Sequence, residues 1–113
     1  MIAQGEVWWA DIGDPVGSAP GFRRPVVVVQ GDIITRSGIA SVVCVPVISN
    51  LGWAQAPTCL LLTARSTGLP KDSVAQTNGI TTLDRSQLIE RLGRVSPAQL
   101  TKLFDCLDIA LGR

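Results

Sequence analysis

The stretch GFRRPVVVVQGD, residues 21–32, sets Arg23 and Arg24 in front of Pro25 and four consecutive valines. Eight of the ten basic residues in the chain are arginine, and the net charge is only +1. So small a charge gives no general attraction to nucleic acid. Arginine, however, offers a planar fork of donors that binds phosphate oxygens in pairs, so a small local phosphate site is compatible with that balance. On the residues alone Arg24 has two readings: such a phosphate-binding group, or a solvated charge at a strand start that pairs on the surface.

The missing residue types narrow the chemistry. With no histidine, the common general base, the paired-histidine ribonuclease mechanism and histidine-rich zinc sites are all excluded. No CxxC pair or DxD cluster supplies a metal ligand set, so no metal or other cofactor is expected. The segment GDPVGSAPGF, residues 13–22, holds no lysine and reads as a loop instead of a phosphate cradle. A G-x-S-x-G elbow is also missing. What remains is chemistry by arginine, hydroxyl, amide and carboxylate groups.

The elements that must position these groups are short. GEVWWADI reads as a strand, with Val7, Trp9 and Ile12 toward one side. RPVVVVQ reads as a central strand, because four β-branched residues in a row leave no polar face and imply burial on both sides. Pro25 belongs at its start, since proline cannot donate to an interior ladder. GDIITRSG is a connector. IASVVCVPVISN is the next strand, with Pro46 at a bulge or edge, and APTCLLLTA, KDSVAQT and GITTL follow as further apolar runs. Asp84 with Gln87 fits one capped helical turn, and LIERLGRV fits helix or strand. Ser96, Pro97 and Gln99 form a capping-box signature that opens an amphipathic helix, its apolar face made of Leu100, Leu103, Phe104, Leu107 and Leu111. Many short strands and one terminal helix predict a small barrel-like sheet with helical cover.

At 113 residues, 46% apolar and 17% charged, the chain reads as one compact domain, without the low hydrophobicity of disorder. MIAQGEVWWAD has no basic stretch leading into an apolar one, and no segment is long and uniformly apolar. A cytoplasmic protein without membrane association is therefore expected. Cys44, Cys59 and Cys106 are widely spaced in apolar surroundings, which suits buried thiols better than disulfides.

Taken in order and spacing, GEVWWADI, Gly17-Ser18, RRPVVVVQGD, VVCVPVISN and LPKDSVAQTNGITTLDRSQL resemble the MazF/PemK/Kid toxins of bacterial toxin–antitoxin pairs. The likeness runs from Gly5 to Gly93, and the terminal helix fits as well. It implies a mainly β fold, a small SH3-like β-barrel with a C-terminal amphipathic helix, and makes LIERLGRV the last strand. It implies a homodimer and a metal-independent endoribonuclease that cuts single-stranded RNA at short motifs. In that reaction the RNA 2′-hydroxyl attacks its own phosphate and leaves a 2′,3′-cyclic phosphate. It also implies a cognate antitoxin whose C-terminal segment covers the RNA groove.

Carried over by position, Arg24 is the catalytic arginine, suited to stabilising the pentacoordinate phosphorane. A guanidinium, with a pKa above about 12, is poorly suited to act as a base. Arg23 has no consistent match and reads as a surface residue. The family block Pro-x-Thr-Ser-Asn is Pro46-Val47-Ile48-Ser49-Asn50 here, so isoleucine replaces threonine and Ser49 is left to supply the hydroxyl. The family's Gly-Ser-Glu is Gly17-Ser18-Ala19, and Asn78 stands where some relatives place a carboxylate. Weakened or redirected catalysis is the expectation. RNA contacts fall to Ser18, Gly21, Phe22, Asn50, Gln76 and Asn78, with Trp53 for stacking, because single strands are read by amide edges and aromatic faces. Trp8 and Trp9 are assigned to the core or a dimer interface, and Asp72 and Ser73 to turn and strand-start geometry. The same fold admits two alternatives: a CcdB-like toxin that binds gyrase, and a non-catalytic homologue that binds antitoxin. The tail DIALGR counts against the first, since those proteins end in a Trp-Gly-Ile-type tail.

Overall fold

The computed structural model describes residues 1–13, 17 and 22–113. Ser18, Ala19 and Gly21 lie outside the described residues. The strands are β1 (Glu6–Asp11), β2 (Arg23–Val28), β3 (Ser41–Ile48), β4 (Cys59–Leu62), β5 (Ser73–Gln76), β6 (Thr81–Asp84) and β7 (Leu88–Arg94). The helices are α1 (Asp32–Arg36), α2 (Ala64–Thr67) and α3 (Pro97–Ala110). The connector expected at GDIITRSG thus contains the helix α1.

β2 lies between β1 and β3, antiparallel to both. Val27 and Val29 join Val7, Val45, Val47, Leu62, Leu69, Ala75, Val95 and Leu103 in one core. Val26 and Val28 join Ala10, Val42, Cys44, Leu83 and Leu88 in a second core on the opposite face. The valine run is therefore buried on both sides, as its composition predicts. Val7 faces the first core, whereas Ile12 packs with Trp8 against the second. Strand alternation decides this: an odd and an even position cannot share a face.

β3 changes partner along one edge. Ser41–Cys44 pair with β6, and Val47 and Ile48 pair with β5. Pro46 falls in the gap between the two, neither a bulge nor an outer edge, at a point where that ladder is already interrupted. Asp84 makes its capping box with Gln87 over the 3₁₀ turn Arg85–Gln87, and the chain then enters β7 as a strand. Ser96 and Gln99 make the second capping box, and α3 lays Leu100, Leu103 and Phe104 on the first core. Leu111 lies past the last helical residue and is 57% exposed, so the apolar face stops short of it.

The sheet order is β4-β5-β3-β2-β1-β7, with β6 also on β3. β4 and β7 do not pair, so the sheet is not a closed barrel, and the barrel expectation holds only loosely. Backbone packing bridges the gap. A Cβ on Gly93 of β7 would overlap the carbonyl oxygen of Thr67, and one on Gly68 would overlap the carbonyl oxygen of Leu92. Gly68 also takes φ +81° as the C-cap of α2, where a side chain is strained. Among the described residues, no helix is long and apolar enough to cross a membrane.

The three cysteines are free; Cys44 and Cys59 are buried and Cys106 is half-buried. Burial pushes the Cys44 thiol up to about 12.

Two outcomes are expected. Gly93→Ala forces the α2–β7 contact apart and lowers stability by about 2–3 kcal/mol in urea unfolding. At pH 8 a thiol reagent labels Cys106 in the native protein, and Cys44 and Cys59 react only after denaturation. The raised Cys44 value stabilises the fold fully below the ordinary thiol range near 9, and this contribution is lost as pH rises toward about 12.

Candidate phosphate-binding groove

Arg24 is the second residue of β2, and the strand becomes fully buried two positions later at Val26. It pairs with Ala10 of β1. Continuing the register Val26↔Pro46 toward the strand ends brings Ile48 opposite Arg24 and Ser49 opposite Arg23. The groove at this corner, about 140 Å³, gathers these residues. Arg23, Arg24 and Lys71 supply three cations, Ser49 a hydroxyl, and Trp9 and Ile48 apolar wall. Among its described lining residues there is no carboxylate. Such a lining favours an anion, because guanidinium forks and an ammonium carry positive charge and only donate hydrogen bonds.

Lys71 reaches the groove because the turn before β5 is pinned. Ser73 Oγ–H donates to the Lys71 carbonyl oxygen at 2.9 Å, and Asp72 Oδ1 accepts from Ala64 N–H at 2.8 Å. Asp72 and Ser73 thus have the turn and strand-start geometry expected of them. Ile48, the last residue of β3, is half-buried and Ser49 just beyond it is exposed, and both line the groove with Arg24.

The other candidates are placed differently. Phe22 is 61% exposed and takes φ 60°, an unusual left-handed geometry for a bulky residue. Its backbone is held where the β1–β2 connection begins: Ile12 N–H donates to the Phe22 carbonyl at 2.8 Å, and Phe22 N–H donates to Gly13. Asn50 Oδ1 accepts from Gly52 N–H at 3.0 Å, which caps the 3₁₀ turn Leu51–Gln55 and presents Trp53 half-exposed. Gln76 ends β5, three residues from Ser73, which is roughly 10 Å along the strand. Asn78 accepts from Thr58 Oγ1–H at 3.2 Å. None of Asn50, Trp53, Gln76 and Asn78 is among the described residues lining the groove. Arg24 and Ser49 are brought together; these four stand outside.

Among the lining residues not assigned to the site from sequence are the two cations Arg23 and Lys71 and the aromatic Trp9. The double arginine was the only visible signal, and it did not say which of the pair faced inward. Trp8 and Trp9, adjacent and alike in sequence, are separated by the sheet. Trp8 Nε1–H donates to Glu6 Oε1 at 3.1 Å, and Glu6 Oε2 pairs with Arg91 at 2.9 Å. Trp9 lies on the other face and lines the groove. Among the described residues no group of three or more Cys, Asp or Glu is placed to hold a metal ion. Asp84 lies elsewhere, its carboxyl held below the usual range by hydrogen bonds from the Ser86 N–H and hydroxyl.

The model of a family described as PemK-like, MazF-like toxin of type II toxin–antitoxin system matches residues 3–111. Endoribonuclease MazF6 of Mycobacterium tuberculosis is 42% identical over 105 residues, covering 93% of this chain and 91% of that protein. Endoribonuclease EndoA of Bacillus subtilis is 30% identical over 111 residues, covering 98% and 95%. Among solved structures, a mycobacterial endoribonuclease in complex with its cognate antitoxin matches with a TM-score of 0.80 at 25% identity, covering 99% of this chain and 96% of that one. MazF from Deinococcus radiodurans shares the fold, with a TM-score of 0.81 at 23% identity and coverage of 99% and 97%.

An anion-binding groove has a thermal signature. Inorganic phosphate at about tenfold excess over its Kd is expected to raise Tm by roughly 5 °C in the wild type. The rise should shrink to within error in Arg24→Ala, as read by differential scanning calorimetry.

Proposed function

The chain belongs to the PemK-like, MazF-like toxin family of type II toxin–antitoxin systems, and on that premise we propose that it is an endoribonuclease cutting single-stranded RNA through its own 2′-hydroxyl. The observation that supports this most is Arg24, set at the start of a strand buried on both faces and opening into a groove with Ser49, Arg23 and Lys71.

The reaction follows from those groups. A 2′-oxygen attacks the adjacent phosphorus and loses its proton, while the bond from phosphorus to the 5′-oxygen breaks and that oxygen gains a proton. The products are a 2′,3′-cyclic phosphate and a 5′-hydroxyl. In between, negative charge grows on the non-bridging oxygens. A guanidinium already fixed in place stabilises that charge without reorganising, an effect worth a factor of about 10²–10³ for one donor in comparable sites. Ser49 supplies a hydroxyl at the same phosphate, and Lys71 supplies ammonium donors toward the leaving oxygen. Ile48 faces Arg24 with no polar atom, so this reading expects a slow enzyme.

The relatives solved with antitoxins support a matching partner here: an antitoxin whose C-terminal segment lies over the groove. We also assign the chain a homodimeric state and a cytoplasmic setting. A gyrase-binding reading is disfavoured, since the relatives carry endoribonuclease names.

Induction in a bacterial host with mapping of RNA 5′ ends tests the proposal. New 5′-hydroxyl ends at a shared short motif are expected, reduced at least about 100-fold by Arg24→Ala. Growth arrest with intact RNA would overturn it. Ile48→Thr places a hydroxyl opposite Arg24 and is expected to raise the cleavage rate severalfold in a purified assay. An unchanged or lower rate would show that Ile48 does not limit the site.

A further inference from the structure

Beside the groove lies a second hollow, about 270 Å³, lined by Trp9, Arg23, Ile89 and Glu90. Trp9 and Arg23 belong to both linings, so the two hollows adjoin. We infer that this second hollow is a nucleobase site that selects guanine in the nucleotide flanking the scissile phosphate. The inference rests on the ribonuclease reading above and adds a base preference to it.

The backbone positions the parts. Trp9 pairs with Pro25 on β2 and with Glu90 on β7, so Glu90, Trp9 and Pro25 form one row across three strands. Side chains in such a row stand on the same face, about 4.8 Å apart. Between Trp9 and Ala10 the β7 register shifts, from Glu90 to Leu88. Ile89 is therefore the extra residue of a bulge, and a bulge re-aims side chains. That explains how two consecutive residues, Ile89 and Glu90, reach the same hollow.

The chemistry of the lining is that of a nucleotide site in three parts. The Trp9 indole, half-buried in the sheet, offers a fixed aromatic surface for stacking a base. Arg23, next to Arg24 in the chain, offers its fork to the neighbouring phosphate. Glu90 is exposed, and among the described residues its carboxylate has no hydrogen-bond or ion-pair partner. Its neighbour Arg91 is committed to Glu6 on the other face. A carboxylate presents two acceptors and no donor. Guanine alone offers two adjacent donors on its pairing edge, N1–H and the N2 amino group. Adenine and cytosine place an acceptor beside their single amino group, and uracil places carbonyls on both sides of its N–H. Each of these sets an oxygen or nitrogen lone pair against the carboxylate.

Binding of short 2′-O-methyl oligonucleotides, which cannot be cleaved, tests the inference separately from catalysis. With the full-length protein, replacing guanine by inosine at one position is expected to weaken binding about tenfold, the loss of one arm of a bidentate contact. Glu90→Gln should bring guanine and inosine within twofold of each other at that position. Equal binding of guanine and inosine by the wild type at every position would overturn the inference, as would discrimination that persists in Glu90→Gln. A hollow that takes a protein segment instead would give the same negative result, with oligonucleotide affinity indifferent to Glu90. Discrimination without RNA cleavage would leave the base site standing and remove only the proposed activity; cleavage without discrimination would do the reverse.

Discussion

Two-sided burial of β2 is the constraint on which the rest of the molecule depends. Its valines alternate between two cores, one covered by α3 and one formed with β6 and the start of β7. Both edges are taken by ladders to β1 and β3. A strand held on four sides has no freedom to shift register, because a slip of one residue would exchange the two cores. Arg24 and Arg23 lie just outside this held region, on backbone paired to Ala10 and Asp11 of β1. Preorganised charge is what stabilisation of a phosphorane requires, and the strand supplies it at a residue whose side chain still reaches solvent.

The second organising contact is the one that stands in for barrel closure. Where β4 and β7 fail to pair, Gly68 and Gly93 bring backbone against backbone. The chain then passes through Leu69, buried in the first core, to the turn that carries Lys71 to the groove. The groove is thus assembled from three distant parts of the chain: the start of β2, the end of β3 and the turn before β5. Each is fixed by packing of its neighbours, and none of the three is a contiguous motif.

That distinction sets what was legible in the sequence. The valine run, the two capping boxes and the terminal helix are local patterns, and the structure contains all of them. Arg24 and Ser49 come from ordered family blocks, and both line the same groove. Trp9, Arg23 and Lys71 were not legible as site residues, because their placement depends on cross-strand register and on the bulge at Ile89. Adjacent tryptophans look equivalent until alternation sends one to Glu6 and the other to the groove. Gln76 and Asn78 show the converse: their residue types suit base recognition, but strand length carries them away from the groove lining. The open barrel was likewise invisible, since the two glycines that bridge it read as ordinary breaks in apolar runs.

The central claim is that the scissile phosphate sits at the corner where β2 begins and β3 ends. A crystal structure of the protein with a non-cleavable 2′-O-methyl RNA containing its cleavage motif tests this most directly. The expected result is one phosphate within hydrogen-bond distance of the Arg24 guanidinium, with Ser49 beside it. A phosphate chain bound across Trp53, Gln76 and Asn78, with no phosphate on Arg24, would contradict it.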